Sequence, residues 1–488
     1  MSITKYLIIL GLGMGCCSQN RALASGSLVA GPLFADFPLT LAEGHRTEIL
    51  GPLFYSEQNE KQHVWAIPPL GFSYASDPSV EYHEINFLYP VFSWDRFGRE
   101  YRCQIVQLIN FAGGQVPGDS DEHRFTLFPV YFQQRSANPK DNYTAMFPIY
   151  GHAKRRLFRD EISWVIWPLY LKTRNKDVVT WNAPYPLFDV RKGNGLHGWQ
   201  LWPFFGEEHK VVTTSTNGFG DTEVVGGHDN YFVLWPFFSN ATNGIGTANP
   251  SREHALLPFY DYYRSPLRDS TTWLWPLGVN HTVDRADKYE EWTAPWPLVE
   301  FARGEGKTEN RVLPFYSHAF NSHLETIWVL WPFYKYNRVV SEPLDYRRTR
   351  ILFFLYSAIV KKNTETGKAV RREDFWPFYT RERDYNGNER LQVLSLFEPF
   401  FPGTESVSRD YNQLCAFWRF EHSPGRGADS QSLLWNLYRR DVAPHTKKIS
   451  LLFGLFQYQS SPDGAKWRIF YLPLGGAKAK PAPQPPAG

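Results

Sequence analysis

Neither sign of charge dominates this chain: 52 Lys and Arg stand against 49 Asp and Glu, a net charge of +3 in 488 residues. That balance excludes the single-sign field that draws nucleic acid, so no nucleic-acid partner is expected. Cysteine is scarce. Outside the first 17 residues only Cys103 and Cys415 remain, far apart, each in an apolar run that reads as a strand. Nothing in the sequence brings them together, and two buried free thiols are expected. Beyond the N-terminus no segment approaches the roughly 18 uninterrupted apolar residues of a membrane helix, so any passage through a bilayer must be made by strands. Catalytic signatures are missing as well: neither a G-x-S-x-G elbow nor an H-E-x-x-H zinc helix occurs.

What the chain has in quantity is aromatic residues, 17% of the total with 18 Trp, beside 36 Pro and 36 Gly. Aromatics form strands and Gly with Pro punctuates turns, which points to an all-β fold. One phrase organises the whole length, an aliphatic residue, an aromatic, a proline and two aromatics, plainest at Leu330-Trp331-Pro332-Phe333-Tyr334. Copies stand at Ile166-Trp167-Pro168-Leu169-Tyr170, Leu201-Trp202-Pro203-Phe204-Phe205, Leu234-Trp235-Pro236-Phe237-Phe238, Leu256-Leu257-Pro258-Phe259-Tyr260 and Phe375-Trp376-Pro377-Phe378-Tyr379. Measured from proline to proline, about 23 units of about 17 to 23 residues follow one another.

A helix interior would not accept the prolines, so each unit reads as one strand centred on the motif, plus a turn. Tyr385-Asn386-Gly387-Asn388, Ser423-Pro424-Gly425-Arg426, Ser461-Pro462-Asp463-Gly464 and Thr364-Glu365-Thr366-Gly367 are strong turn signals between strands, which predicts an antiparallel meander of hairpins. The single long interval, Pro203 to Pro236, predicts an extended loop or extra hairpin and is the first place to look for a functional loop.

The N-terminus reads as an export signal over residues 1–24: Lys5, an apolar stretch from Leu7 to Gly15, and Ala22-Leu23-Ala24 before Ser25. Cys16, after Leu12-Gly13-Met14-Gly15, offers lipidation as the rival reading. Residues 25–474 read as one repeat-built β domain, and 475–488 as a disordered Pro/Ala tail.

A meander of this many strands leaves exposed edges unless it closes or divides, so a large β-barrel is expected, with a β-propeller or stacked sheets as the alternative. Both faces look apolar around Val329 to Lys335, which suits stacking. Tyr101, Cys103 and Ile105 alternate with Arg102 and Gln104, which suits a barrel. The prolines fit bulges or bends better than straight lipid-facing strands.

Short chemical motifs reduce to turns. Gly193-Asn194-Gly195-Leu196-His197-Gly198 matches a dinucleotide fingerprint but runs into a strand, not a helix. Gly304-Glu305-Gly306-Lys307-Thr308 resembles the end of a phosphate-binding loop, but Phe301 stands where the first glycine belongs and a strand follows; Asp384, Asn386 and Asn388 lack the glycine of a calcium loop, Glu389 standing in its place. His45, His63, His83, His123, His152, His209 and His228 read as scattered loop or surface residues, with no metal-ligand pair. Asp160, Glu161, Glu207, Glu208, Glu290 and Glu291 read as a solvated rim. No catalytic residue, cofactor or metal site is therefore assigned. The expectation is a non-enzymatic cell-envelope protein of a Gram-negative-type bacterium, an outer-membrane barrel serving as pore or scaffold with membrane lipid as its partner. The alternative is a secreted or lipid-anchored propeller that binds a glycan or protein through its loops.

Overall fold

The computed structural model describes residues 28–30, 33–114, 122–216, 220, 222–462 and 464–474. The leader with Cys16 and the tail from 475 lie outside the described residues. The fold is all-β: 44 strands hydrogen-bond into one sheet, and two more form a separate hairpin, Thr213–Thr216 with Thr222–Val225, inside the long Pro203 to Pro236 interval. Every other strand pairs antiparallel with the next in the chain, so the meander is continuous from Leu28–Ala30 to Leu472–Leu474. No blade boundary interrupts it, which replaces the propeller alternative by a single ladder.

Each unit contains two strands rather than one, because the motif is a turn and not a strand centre. The strand Leu324–Val329 ends before it, residues 330–333 turn, and Tyr334–Ser341 begins with the motif's last aromatic. Pro332 lacks the N–H that a ladder position would donate, and its place in the turn removes that conflict. Phe333 N–H donates to the Leu330 carbonyl at 2.8 Å, with Pro332 third of the four residues in a cis peptide, the arrangement of a type VI turn. The apolar run at Val329 to Lys335 is thus two strand ends joined by a turn. Polar hairpin turns such as 384–388 and 424–427 close the opposite ends.

The sheet therefore has two unlike rims, one of aromatic-proline turns and one of polar loops. Its faces differ too. Directly paired residues share a face, so Arg46, Glu48, Glu84, Asp189, Glu300, Glu309, Arg372, Asp374, Arg390 and Arg439 all stand on one side. This side is concave. One layer leaves both faces open, so few apolar side chains among the described residues are fully buried.

Among the described residues the concave face meets itself near the two ends of the sheet. A helical segment, 405–415, lies against strands of residues 44–87: Arg409 pairs with Glu84, Tyr55 Oη donates to the Arg409 carbonyl at 3.2 Å, and Arg46 reaches Gln413 at 2.9 Å. Beside it Asn436 Nδ2 donates to Glu48 at 2.6 Å, and the Arg439 guanidinium sits 3.4 Å above the Phe37 ring. No ladder joins the first strand to the last among the described residues.

Elsewhere the concave face is stapled by ion pairs: Arg372 to Asp374 at 2.9 Å, Lys307 to Glu291 at 2.8 Å, Arg311 to Glu300 at 2.8 Å. Replacing Arg372 by Leu strands the buried Asp374 carboxylate and should destabilise by about 3–5 kcal/mol. Lys288→Gln, which breaks the exposed pair with Glu305, should leave stability nearly unchanged. Urea unfolding followed by tryptophan fluorescence checks both, and equal effects would refute the distinction.

Candidate functional site

The motif turns build the most extensive special surface in the molecule. In each turn the first residue donates its N–H to the preceding turn: Leu313 to the Leu298 carbonyl at 2.8 Å, Leu330 to Phe315 at 2.7 Å, Leu352 to Phe333 at 2.8 Å. The turns thus continue the ladder across the rim. Their side chains point away from it: Leu330 is 50%, Trp331 51% and Phe333 55% exposed, with Leu234, Trp235, Phe259, Leu274, Phe315 and Phe378 alike. The result is a belt of Leu, Trp and Phe most of whose backbone donors are spent internally or absent at proline.

The convex face grades away from that belt. Val299, Val312, Val329 and Ile351 stand next to the turns; Phe301, His318, Ile327 and Tyr336 come two residues further, and Arg303, Glu325, Arg338 and Arg347 two beyond that. Apolar, aromatic and charged rows follow in order within one strand length. His45, His63, His83, His123, His152 and His209 belong to this convex face, in strands and not in loops; His228 is on the concave face, 2.7 Å from Glu208.

The acidic residues read as a solvated rim are also strand residues. Glu208 accepts from Arg191 at 3.0 Å and Glu291 from Lys307 at 2.8 Å on the concave face, whereas Glu207 and Glu290 alternate outward to Trp199 and His281. Asp160 and Glu161 sit in the strand Arg159–Val165. Gly193 to Gly198 and Gly304 to Thr308 are hairpin turns, as read from the sequence. Asp384 caps its own turn by accepting from the Asn386 and Asn388 N–H groups at 2.7 and 2.9 Å. Among the described residues no group of three His, Cys, Asp or Glu is disposed to hold a metal ion. Cys103 and Cys415 are free and half-buried rather than buried, and Cys415 ends the helical segment instead of lying in a strand.

One group stands apart from the ion pairs. Asp410, in the helical segment, is 0% exposed, and neither carboxyl oxygen is hydrogen-bonded. Burial pushes it up to about 7, opposed by the adjacent Ser73 hydroxyl and Arg409, while Glu84 adds to the rise. Sequence reading missed this residue, since nothing local marks the 405–415 stretch as the piece that crosses onto strands more than 300 positions earlier. The rim was missed for another reason: spacing from motif to polar turn is half a unit, and that half-period was the available sign of two strands.

A carboxyl whose folded-state value is raised stabilises fully below about pH 4 and loses that contribution as pH rises through about 7. The seam should therefore weaken as pH rises from about 4 to about 7, by about 4 kcal/mol in all, of which about 1–2 kcal/mol falls between pH 6 and pH 8. Asp410→Asn should raise the melting temperature at pH 8.5 and remove most of the pH dependence; thermal unfolding of both proteins at pH 5.5 and 8.5 checks this, and a variant less stable at both would refute it. The chain matches no family model, and no curated protein is significantly similar to it.

Proposed function

We propose that this protein is a non-enzymatic scaffold of a bacterial cell envelope, seated on the outer membrane by its rim of aromatic-proline turns. One observation carries the reading: an exposed apolar belt whose backbone N–H groups are mostly hydrogen-bonded or absent at proline. Hydrocarbon rejects unsatisfied N–H and C=O groups, and the turn-to-turn bonds reduce that objection by using up donors. The convex rows behind the belt match an interface, with Trp, Tyr and His at head-group height and charge in water.

Strand length favours sitting in one leaflet over spanning. The longest strands have 8 residues and most have 5 or 6, whereas a tilted membrane-crossing strand needs about 9–11. A scaffold is thus better supported than a pore. The barrel belongs to this proposal in altered form: the sheet curls into a tube closed by the 405–415 seam and not by a ladder. Export through the leader at 1–24, with or without lipid on Cys16, supplies the route to the envelope. The non-enzymatic reading is supported by concave carboxylates such as Glu300, Asp374 and Asp441, which are committed to Arg partners.

Purified protein should float with zwitterionic vesicles and remain bound in 1 M salt. Phe315→Glu, Phe333→Glu and Phe378→Glu together should lower vesicle affinity at least tenfold, about 1.4 kcal/mol or more. Flotation unaffected by all three would remove the rim from the reading, and release of native protein into the soluble fraction of the host would remove the membrane. Closure is checked separately. With Cys103 and Cys415 replaced by Ser, Glu48→Cys and Asn436→Cys should be joined by a short bis-maleimide within one chain; a failure of that link, with both thiols reactive, means an open sheet.

A further inference from the structure

Three apolar clusters interrupt the polar concave face, and two are covered. Tyr55, Val64, Ala66 and Ala75 lie beneath the 405–415 segment, and Ala35 with Phe37 lies beneath Arg439. The third has no such cover. Tyr143, Ala145, Ala153 and Trp164 are buried among Phe132, Phe147, Ile162 and Leu171; of these, Ala153 and Trp164 with Phe132, Phe147, Ile162 and Leu171 floor a concavity of about 1250 Å³ formed where consecutive strands from Ile109–Gly114 to Phe205–Lys210 curve around it. That volume exceeds the roughly 300–1,000 Å³ of pockets for drug-sized ligands.

The two ends of this concavity differ in chemistry. At the motif rim it is lined by Phe128, Phe147, Trp167, Tyr185 and Trp202, so its floor is continuous with the apolar belt. At the loop end stand Arg156 and Arg159. Arg156 Nε donates to Tyr143 Oη at 3.0 Å, and neither guanidinium has a carboxylate partner among the described residues, unlike Arg191, Arg311 and Arg372 elsewhere on this face. Between the two arginines the hairpin turns on Leu157 and Phe158, both at positive φ (52° and 59°), where Asn-Gly is the favourable choice. Phe158 is 103% exposed while Leu157 lines the concavity. Folding alone does not account for two large apolar residues at the tip of a polar rim, and strain of this kind gathers at binding sites.

We infer that this concavity binds one amphiphile with an acyl chain and an anionic head group, the chain along Ile162, Trp164 and Leu171 and the head on Arg156 and Arg159. The strand Arg159–Val165 is about 23 Å long from loop end to rim, enough for a chain that spans one leaflet, about 15 Å. The floor supplies apolar contact, and the two free cations supply charge-assisted hydrogen bonds to the head. The inference rests on the rim reading only for the route of entry, since the apolar end opens where the turns would meet lipid.

The test titrates full-length protein with cis-parinaric acid and, in parallel, with its methyl ester. The acid should bind saturably at one site per chain. Arg156→Gln with Arg159→Gln, both near the surface, should weaken the acid tenfold or more and leave the ester unchanged, and Ala153→Trp should abolish binding of both. Vesicle flotation of every variant shows whether the fold persists. No saturable binding by native protein that still floats overturns the inference and leaves the rim reading intact, as does acid binding undiminished by the double variant or equal loss of acid and ester. Retained acid binding by native protein that fails to float supports the inference and removes the rim reading instead.

Discussion

The structure depends on one repeated hydrogen bond, from the first N–H of each aromatic-proline turn to a carbonyl of the turn before it. Leu330 to Phe315 and Leu352 to Phe333 are two copies. Without it every hairpin would end in a loose tip, and the rim would carry unpaired amides that neither water-free packing nor lipid tolerates. With it the ladder runs uninterrupted over the end of the sheet. Proline contributes by having no N–H at the one position where a donor would face outward. A backbone satisfied in this way permits side chains as apolar as Trp331 and Phe333 to remain uncovered by protein.

A single layer has no interior in the ordinary sense, and the buried residues reflect that. Large fully buried side chains include Gln392, Glu309 and Asn86 rather than Leu or Ile. Charges take the place of a core over much of the concave face, where cations such as Lys307, Arg311, Arg372 and Arg390 bridge carboxylates on the same and neighbouring strands. Such pairs fix register more than they add stability, because their desolvation offsets much of their attraction. Each strand touches its two neighbours in sequence, so the energetics are close to those of a one-dimensional repeat array. The seam is the exception, joining residues more than 300 apart through Arg409, Glu84, Asn436 and Glu48.

The all-β class, the antiparallel meander and the period were legible in the sequence because turn residues such as Asn386-Gly387 act locally. The extra hairpin near 213–225 was legible from its Gly and Thr content in the same way. The place of the motif was not, since Trp, Phe and Tyr around a proline fit a strand centre and a turn equally well until pairing is known. Half-units of strand, hairpin and strand look like one strand and one turn when only the proline is counted. Nor could local sequence identify Asp410, Arg156 or Trp164 as special: their environments come from the seam and from curvature, both properties of the sheet as a whole.

The seam also turns repeat number into a structural variable. Open solenoids gain or lose units freely at their ends. In the proposed tube, ends that meet at Glu84 and Arg409 fix the perimeter, and each added two-strand unit would lengthen it by about 10 Å. The 405–415 segment is made long after the strands it covers, so those around Tyr55 and Ala66 await a partner encoded more than 300 residues later. Counting units is thus part of folding this chain, as it is for a staircase that must arrive at a given landing.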